Sequence, residues 1–273
     1  MNILDSFSLS NKVIVVTGGT GILGESFVKA IAEAGGKLAI LGRDEEKAKL
    51  RVAQAEALGA EAIFVVADVL VKEDIIRARD QIVANFGTID GLVNAAGGNI
   101  PGATISPEQN LFDAELLDTI KAIELNLYGT MIPTHIFGRV IAEKGKGSIV
   151  NISSLAASQA ITRGLGYNVA KHGIDGYTKW MATEISLRYG DKVRVNCIAP
   201  GVFLTEQNRT LLTNPDGTFT ERAQKFVSST PFSRLGNPQE LAGTLVYLLS
   251  DASAFVNGER IFVDGGFNAW SGV

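Results

Sequence analysis

Cysteine and histidine are almost missing from this chain: Cys197 stands alone, and His135 and His172 are its two imidazoles. One thiol cannot close an intrachain disulfide, and this set cannot build a Cys- and His-rich zinc site. No metal is expected. Each of the three reads as a packing residue: Cys197 as a small hydrophobe in an apolar strand, His135 within a long helical stretch, His172 beside Lys171 on another. Long apolar runs are lacking too, since none approaches the roughly 18 residues of a membrane helix. Met1 to Asn11 contains Asp5 and has neither the basic start nor the apolar core of a secretory signal. The expectation is a cytoplasmic chain. Nor is there a basic excess: 25 Lys and Arg stand against 29 Asp and Glu, a formal charge of -4. That leaves no electrostatic footprint for a nucleic-acid backbone. The expected partner is a small molecule, with neither nucleic acid nor membrane.

Glycine is what the chain has in plenty, 30 of 273 residues in a composition otherwise ordinary for a globular protein. The length suits one α/β domain over 1–273. Short β-branched runs recur at Val13-Val16, Lys37-Leu41, Ala62-Val66, Gly91-Val93, Ser148-Ile152, Val193-Ile198 and Arg260-Val263. Stretches of helical spacing lie between them, near 24–34, 44–58, 72–85, 113–142, 167–189 and 238–250. Asn237 and Pro238 suit the cap and first turn of the last. This is the βαβ pattern of a doubly wound, Rossmann-type parallel sheet of about seven strands with helices on both faces, its apolar runs buried from both sides. Two irregular stretches, 97–111 and 201–230, follow the carboxyl ends of strands, the edge where open α/β sheets bind ligands.

The first strand runs into Thr17-Gly18-Gly19-Thr20-Gly21-Ile22-Leu23-Gly24 and then a helix. Glycine lets backbone approach a pyrophosphate, and a helix N-terminus offers unpaired N–H groups. The second strand ends in Leu41-Gly42-Arg43-Asp44, where an NAD-specific site would place a carboxylate on the ribose. Gly42 occupies the acidic position, and Arg43 can pair with a 2'-phosphate, so NADP(H) is favoured within an NAD(P) requirement. Asp44 suits either a ribose hydroxyl or a helix cap.

Thr17-Gly18 with Gly24, Asp68-Val69, Asn94-Ala95-Ala96-Gly97, Tyr167-x-x-x-Lys171 and Pro200-Gly201 follow one another in the order and spacing of the short-chain dehydrogenase/reductase family, which the chain resembles over nearly its whole length. The resemblance implies an NAD(P)-dependent dehydrogenase or reductase acting on a CH–OH group. It implies that Gly18, Thr20, Gly21 and Ile22 surround the pyrophosphate, Asp68 and Val69 flank the adenine, Asn94 supports the central strands and Gly97 lies beneath the nicotinamide ribose. Ala95, Pro200, Gly201, Val202 and Thr205, with Tyr167 and Lys171, complete the implied cofactor contacts. In one departure, Ile22 stands where the family's turn has its usual glycine, with Gly21 one residue earlier. A homo-oligomer, tetramer or dimer, is also implied, and the tail from Phe267 with Trp270 suits packing on a neighbour.

Tyr167 and Lys171 are four apart at the start of a helical stretch, so their side chains share a face. A free phenol, with a pKa of roughly 10, is a poor base near neutrality, and a nearby ammonium and an oxidised nicotinamide both favour its ionised form. In reduction Tyr167 would donate its proton to the carbonyl oxygen, and in oxidation remove the hydroxyl proton. Ser154, 13 residues before Tyr167, has the family's serine spacing and can hold the substrate oxygen; Ser153 is its rival. Asn126 matches the family's helix asparagine, whose backbone is implied to hold a water linking Lys171 to solvent.

Ala96-Gly97-Gly98-Asn99, Leu204-Thr205-Glu206-Gln207-Asn208-Arg209 and the ending from Val263-Asp264-Gly265-Gly266-Phe267 to Ser271-Gly272-Val273 resemble the D-mannonate oxidoreductase (fructuronate reductase) branch. That implies reduction of a keto sugar acid. Such a substrate needs a cation, for which Arg163 and Arg209 are candidates, and hydroxyl partners, for which Asn99 and Asn208 are. Phe203, Phe226 and Phe232 suit either a lid or the core. Two alternatives stay open: another carbonyl substrate within the family, such as a gluconate-type polyol, a 3-oxoacyl thioester or a steroid, and a non-catalytic dinucleotide sensor.

Overall fold

Val13–Thr17 form β1, buried at every position, as a β-branched apolar run must be when helices cover both sides of a sheet. It pairs in parallel with β2 (Lys37–Gly42) on one side and β4 (Gly91–Asn94) on the other. β3 (Ala62–Val66) lies outside β2, while β5 (Gly147–Ile152), β6 (Val193–Pro200) and β7 (Arg260–Val263) extend the other wing. The order is β3-β2-β1-β4-β5-β6-β7, parallel throughout. All seven strands stand where the β-branched runs predict them. The computed structural model describes residues 2–205 and 208–272. Glu206, Gln207 and Val273, which carry part of the branch resemblance, lie outside the described residues.

Alternation along the strands divides the core. Val13 and Val15 pack with α3 (Lys72–Phe86), α5 (Gly129–Lys144) and α6 (Leu165–Tyr189) on one face. Ile14 and Val16 pack with α1 (Ile22–Glu33) and α9 (Ala242–Leu249) on the other, where Ala55 of α2 (Glu45–Ala57) joins them. The edge strands depart from full burial: Val66 at the end of β3, the outermost strand on that side of the sheet, is 61% exposed. Among the described residues no helix is long and apolar enough to cross a membrane.

Two helical expectations need correction. In place of one helix over 113–142 there are α4 (Leu116–Ile123), a π turn at Glu124–Tyr128, and α5. The wider turn is fixed by a tertiary contact, the buried Asn126 side chain gripping the Gly98 backbone, which hydropathic spacing cannot reveal. Nor is 201–230 irregular throughout, since it contains α7 (Arg209–Leu212) and α8 (Glu221–Ser228), the latter capped by Thr220, which accepts from the Ala223 amide. Asn237, Pro238 and Glu240 form the expected capped start ahead of α9, although its first turn is a tight 3-10 turn.

Close packing of α1 against the turn that precedes it positions the whole binding edge. A Cβ on Gly24 would lie 2.2 Å from the Gly18 carbonyl oxygen and 2.7 Å from the Gly19 Cα, both backbone atoms that cannot give way. Gly21, by contrast, is exposed and has ordinary contact at 3.4 Å. Gly24→Ala should therefore cost about 1–3 kcal/mol by overpacking, read as a lower urea midpoint, while Gly21→Ala should change the midpoint little. Equal midpoints for the two variants would contradict this account of the turn.

Candidate active site

The site grows from the carboxyl ends of β1 and β4. The Thr17 hydroxyl, at the end of β1, accepts the amides of Ala95 and Ala96 at 3.1 and 3.2 Å, binding the two strand ends together. Gly18 follows at φ 66, in the left-handed region, with the Ala96 backbone 2.8 Å from where its Cβ would be. Gly21 then caps α1 without any side-chain acceptor, so the first-turn amides keep their capacity for an anion.

Around this turn lies a groove of about 620 Å³, within the usual range of ligand sites. Gly18, Thr20, Gly21, Ile22, Arg43, Asp68, Val69, Ala95, Gly97 and Thr205 all line it. Open amides at one end and the side of Val69 at the other fit a dinucleotide. Gly42 sits so close to Thr20 that a Cβ would approach its side chain to 3.0 Å. The exposed Arg43 stands 3.7 Å from Asp68, a loose pairing, and of the two readings of Asp44 the structure shows the cap: it accepts from the Lys47 amide at 3.0 Å. Asn94 is buried beneath, donating to Thr134 and to Asn151, both at 2.8 Å, so it braces β4 against β5 and α5.

Leu23, Ala95, Gly97, Asn99 and Thr205 are shared with an adjoining cavity of about 220 Å³, which Ser154, Tyr167, Lys171, Pro200, Gly201, Val202 and Asn208 also line. Tyr167 and Lys171 project from the start of α6, with the Lys171 Nζ 5.3 Å from the Tyr167 ring centroid and donating to the Ile152 carbonyl at 2.8 Å. Burial pulls the Lys171 pKa down to about 8, with the Asp175 carboxylate one turn later acting the other way. Burial also pushes the Tyr167 phenol above its usual range, while the Ser154 hydroxyl pulls it back. Of the two charges expected to lower the phenol, Lys171 by itself does not outweigh burial. The ammonium is engaged by Ile152 and faces the ring, so desolvation prevails.

Ser153 and Ser154 separate clearly. Ser153 is buried and donates to Asp175 at 2.5 Å, whereas the half-buried Ser154 accepts from the Ala156 amide at 3.1 Å beside the cavity. Asn126 reaches the site through its side chain: Oδ1 accepts the Gly98 amide at 2.9 Å and Nδ2 donates to the Gly98 carbonyl at 2.8 Å. Its own carbonyl accepts the Thr130 hydroxyl at 2.9 Å. Gly97, at φ 158, passes between Asn126 and Lys171, where a Cβ would lie 2.7 Å from Oδ1 and 3.8 Å from Nζ.

Of the polar candidates for substrate, Asn99 lines both spaces. Asn208 is engaged in bracing its own loop, accepting from the Thr205 amide at 2.7 Å and donating to the Phe203 carbonyl at 2.8 Å. Neither Arg163 nor Arg209 lines the cavity. Arg209 is exposed on α7, and Arg163 adopts φ 78 in the chain leading to α6. The arginine that does line it is Arg222 on α8, joined by Phe203 and Phe226, whereas Phe232 is exposed elsewhere. Arg222 escaped the sequence reading because α8 did. The signal available was Thr220 as a cap, followed by Arg222 and Phe226 one turn apart.

The sequence pattern of a family described as Enoyl-(Acyl carrier protein) reductase matches residues 20–268. The "Uncharacterized oxidoreductase UxuB" of Bacillus subtilis (strain 168) is 39% identical, over 97% of this chain and 98% of its own length. A solved structure from Haemophilus influenzae, described as a "putative D-Mannonate oxidoreductase" with bound NAD, has a TM-score of 0.91 at 36% identity and covers 100% of both chains. A gluconate 5-dehydrogenase from Burkholderia cenocepacia J2315, in complex with NADP and tartrate, has a TM-score of 0.87 at 32% identity, covering 98% of this chain and 99% of that one. These likenesses run the length of the molecule, well beyond a shared nucleotide-binding half, and the chain belongs to the short-chain dehydrogenase/reductase family of NAD(P)-dependent oxidoreductases.

Proposed function

We propose that the enzyme interconverts a keto sugar acid and its hydroxy acid, D-fructuronate and D-mannonate, with NADP(H) preferred. The observation that carries the reading is the small cavity opening onto the Tyr167, Ser154 and Lys171 side chains and continuous with the dinucleotide groove. At about 220 Å³ it is smaller than a typical site for drug-sized ligands, which favours a short polar substrate over an acyl thioester or a steroid. The likeness to the Haemophilus putative D-mannonate oxidoreductase and to the Burkholderia gluconate 5-dehydrogenase, both named for sugar acids, supports the same class.

In this reading the amides around Gly18, Thr20, Gly21 and Ile22 hold the pyrophosphate, Asp68 and Val69 flank the adenine, and Arg43 turns from its loose contact with Asp68 to a 2'-phosphate. Pro200, Gly201, Val202 and Thr205 border the nicotinamide end. A bound nicotinamide supplies or accepts the hydride at the carbonyl carbon. Tyr167 gives its proton to the carbonyl oxygen in reduction, and the Ser154 hydroxyl holds that oxygen in place. Lys171 stabilises the phenolate left behind, and Asn126 keeps the Gly97-Gly98 strap at its position beneath the reacting centre.

A coupled assay of fructuronate, tagaturonate and 5-ketogluconate with NADPH and NADH tests the substrate and the cofactor together. Fructuronate should give the highest kcat/KM, and NADPH should exceed NADH about tenfold, the contribution of one charge-assisted contact. Highest turnover of 5-ketogluconate would move the enzyme to the gluconate class, and an NADH preference would remove Arg43 from cofactor choice.

Tyr167→Phe should lower kcat by at least about 100-fold, the scale of a positioned general acid, with the cofactor Kd unchanged by fluorescence titration. Retained turnover would reject the proton donor. The pH profile carries a separate expectation. Because Lys171 titrates at about 8 and the phenol above its usual range, both protons are in place below that value. Reductive kcat should be level at neutral pH and fall as the medium rises through about 8, where Lys171 loses its charge. A level profile through higher pH would exclude that role for Lys171.

A further inference from the structure

We propose that Arg222 is the carboxylate anchor of the substrate cavity, so that discrimination between a keto acid and the matching neutral ketose resides on α8. The proposal rests on the keto-acid reading above and names the group that enforces it.

Among the described residues, the charged side chains lining the cavity are Lys171 and Arg222, and no carboxylate lines it. Lys171 is engaged by the Ile152 carbonyl and faces Tyr167, which leaves Arg222 for a substrate anion. Its surroundings suit that task. Nη1 donates to the Thr162 hydroxyl and Nη2 to the Thr162 carbonyl, both at 3.0 Å. The guanidinium carbon sits 5.1 Å from the Phe226 ring centroid, and that ring lies 6.3 Å from Phe267 of the C-terminal tail. All of these partners are neutral.

Eight arginines pair with acids among the described residues, Arg51 with Glu25, Arg139 with Glu143, Arg188 with Glu184 and Arg234 with Glu240 among them, whereas Arg163, Arg194, Arg209 and Arg222 do not, and of these four Arg222 lines the cavity. No carboxylate pairs with Arg222 among the described residues, and the adjacent Glu221 is taken by Lys225 at 2.6 Å. Burial pushes the Arg222 pKa down, and the neighbouring Arg163 cation pushes the same way. A partly desolvated cation without a counterion is costly, and a ligand carboxylate offsets that cost. The two bonds to Thr162 use two of the five guanidinium N–H groups, leaving three donors in a fork already oriented by the threonine and the ring. That preorganisation distinguishes Arg222 from the exposed Arg209, whose side chain must be immobilised before it can bind.

The test compares fructuronate with fructose, which differ in carrying a carboxylate or a hydroxymethyl group at one end. The wild-type enzyme should favour the acid, and Arg222→Gln should raise KM for the acid about 10- to 100-fold, the range of a hydrogen-bonded charge. Its kcat should change by less than about threefold, and its fructose kcat/KM and cofactor Kd should be those of the wild type, since a uniform binding contact is removed. Arg222→Lys, which keeps the charge without the fork, should fall between. If wild type shows no preference for the acid, the keto-acid reading fails. If wild type prefers the acid and R222Q keeps that preference, Arg222 alone is overturned. Equal losses on both substrates would show a structural role instead. Should R222Q not fold, the same comparison on R222K decides, an unchanged acid preference or an equal loss on fructose rejecting the anchor.

Discussion

The hydroxyl of Thr17 and the two amides it accepts, from Ala95 and Ala96, hold the carboxyl ends of β1 and β4 at one separation. That separation determines how far the Gly18 turn stands from the strap at Gly97 and Gly98, and so the width of the space between the groove and the cavity. It is sustained from below by a buried polar chain. Asn94 donates to Asn151, Asn151 to Thr178 on α6, and Asn94 again to Thr134 on α5, while Thr134 donates to the Thr130 carbonyl. The bonds to Thr134 and Thr178 tie strand ends to α5 and α6, and the bond between Asn94 and Asn151 ties β4 to β5. In an apolar interior a bond left unmade costs about 1–3 kcal/mol, so the network admits few alternative registers.

A second buried set performs the same task one strand further along. Asp175, on α6 one turn beyond Lys171, accepts from Ser153 at the end of β5 and pairs with Arg260 of β7. The carboxylate is thereby fixed between three elements, and its charge acts on Lys171 from a constant position. Helix α6 cannot rotate to bring Tyr167 elsewhere without breaking this pair and the Lys171 bond to Ile152. The geometry of the tyrosine and lysine is therefore a property of the sheet edge as much as of their own helix.

This explains which features the sequence made legible. Strands were readable because burial from both faces demands unbroken β-branched runs such as Val13-Val16, and the Tyr167–Lys171 pair because four residues are one helical turn. The π turn at Asn126 was hidden, since its cause is a contact with Gly98, 28 residues away, that leaves hydropathic spacing unchanged. Helix α8 was hidden for a different reason: Glu221–Ser228 is short and mostly polar, and its burial comes from lying over a cavity. Choosing among Arg163, Arg209 and Arg222 required knowing that the backbone turns at φ 78 at the first and that the second faces solvent, neither of which residue type records.

Burial acts with opposite sign on the two groups that the proposed chemistry joins. It raises the phenol of Tyr167 and lowers the ammonium of Lys171 to about 8, although in water the lysine is the weaker acid. The order of proton affinity is thus inverted by the site itself. If Tyr167 gives its proton to a carbonyl oxygen, as proposed, the phenolate left behind is the stronger base of the pair, and the Lys171 ammonium beside its ring is the charge that can steady it. Burial that holds the proton on the phenol opposes its loss in both directions, to a carbonyl oxygen in reduction as much as ahead of hydroxyl deprotonation in oxidation. A raised phenol is the weaker acid and its phenolate the stronger base, so in either direction the residue works only with positive charge held near its oxygen, which places the weight of the proposed proton transfer on Lys171.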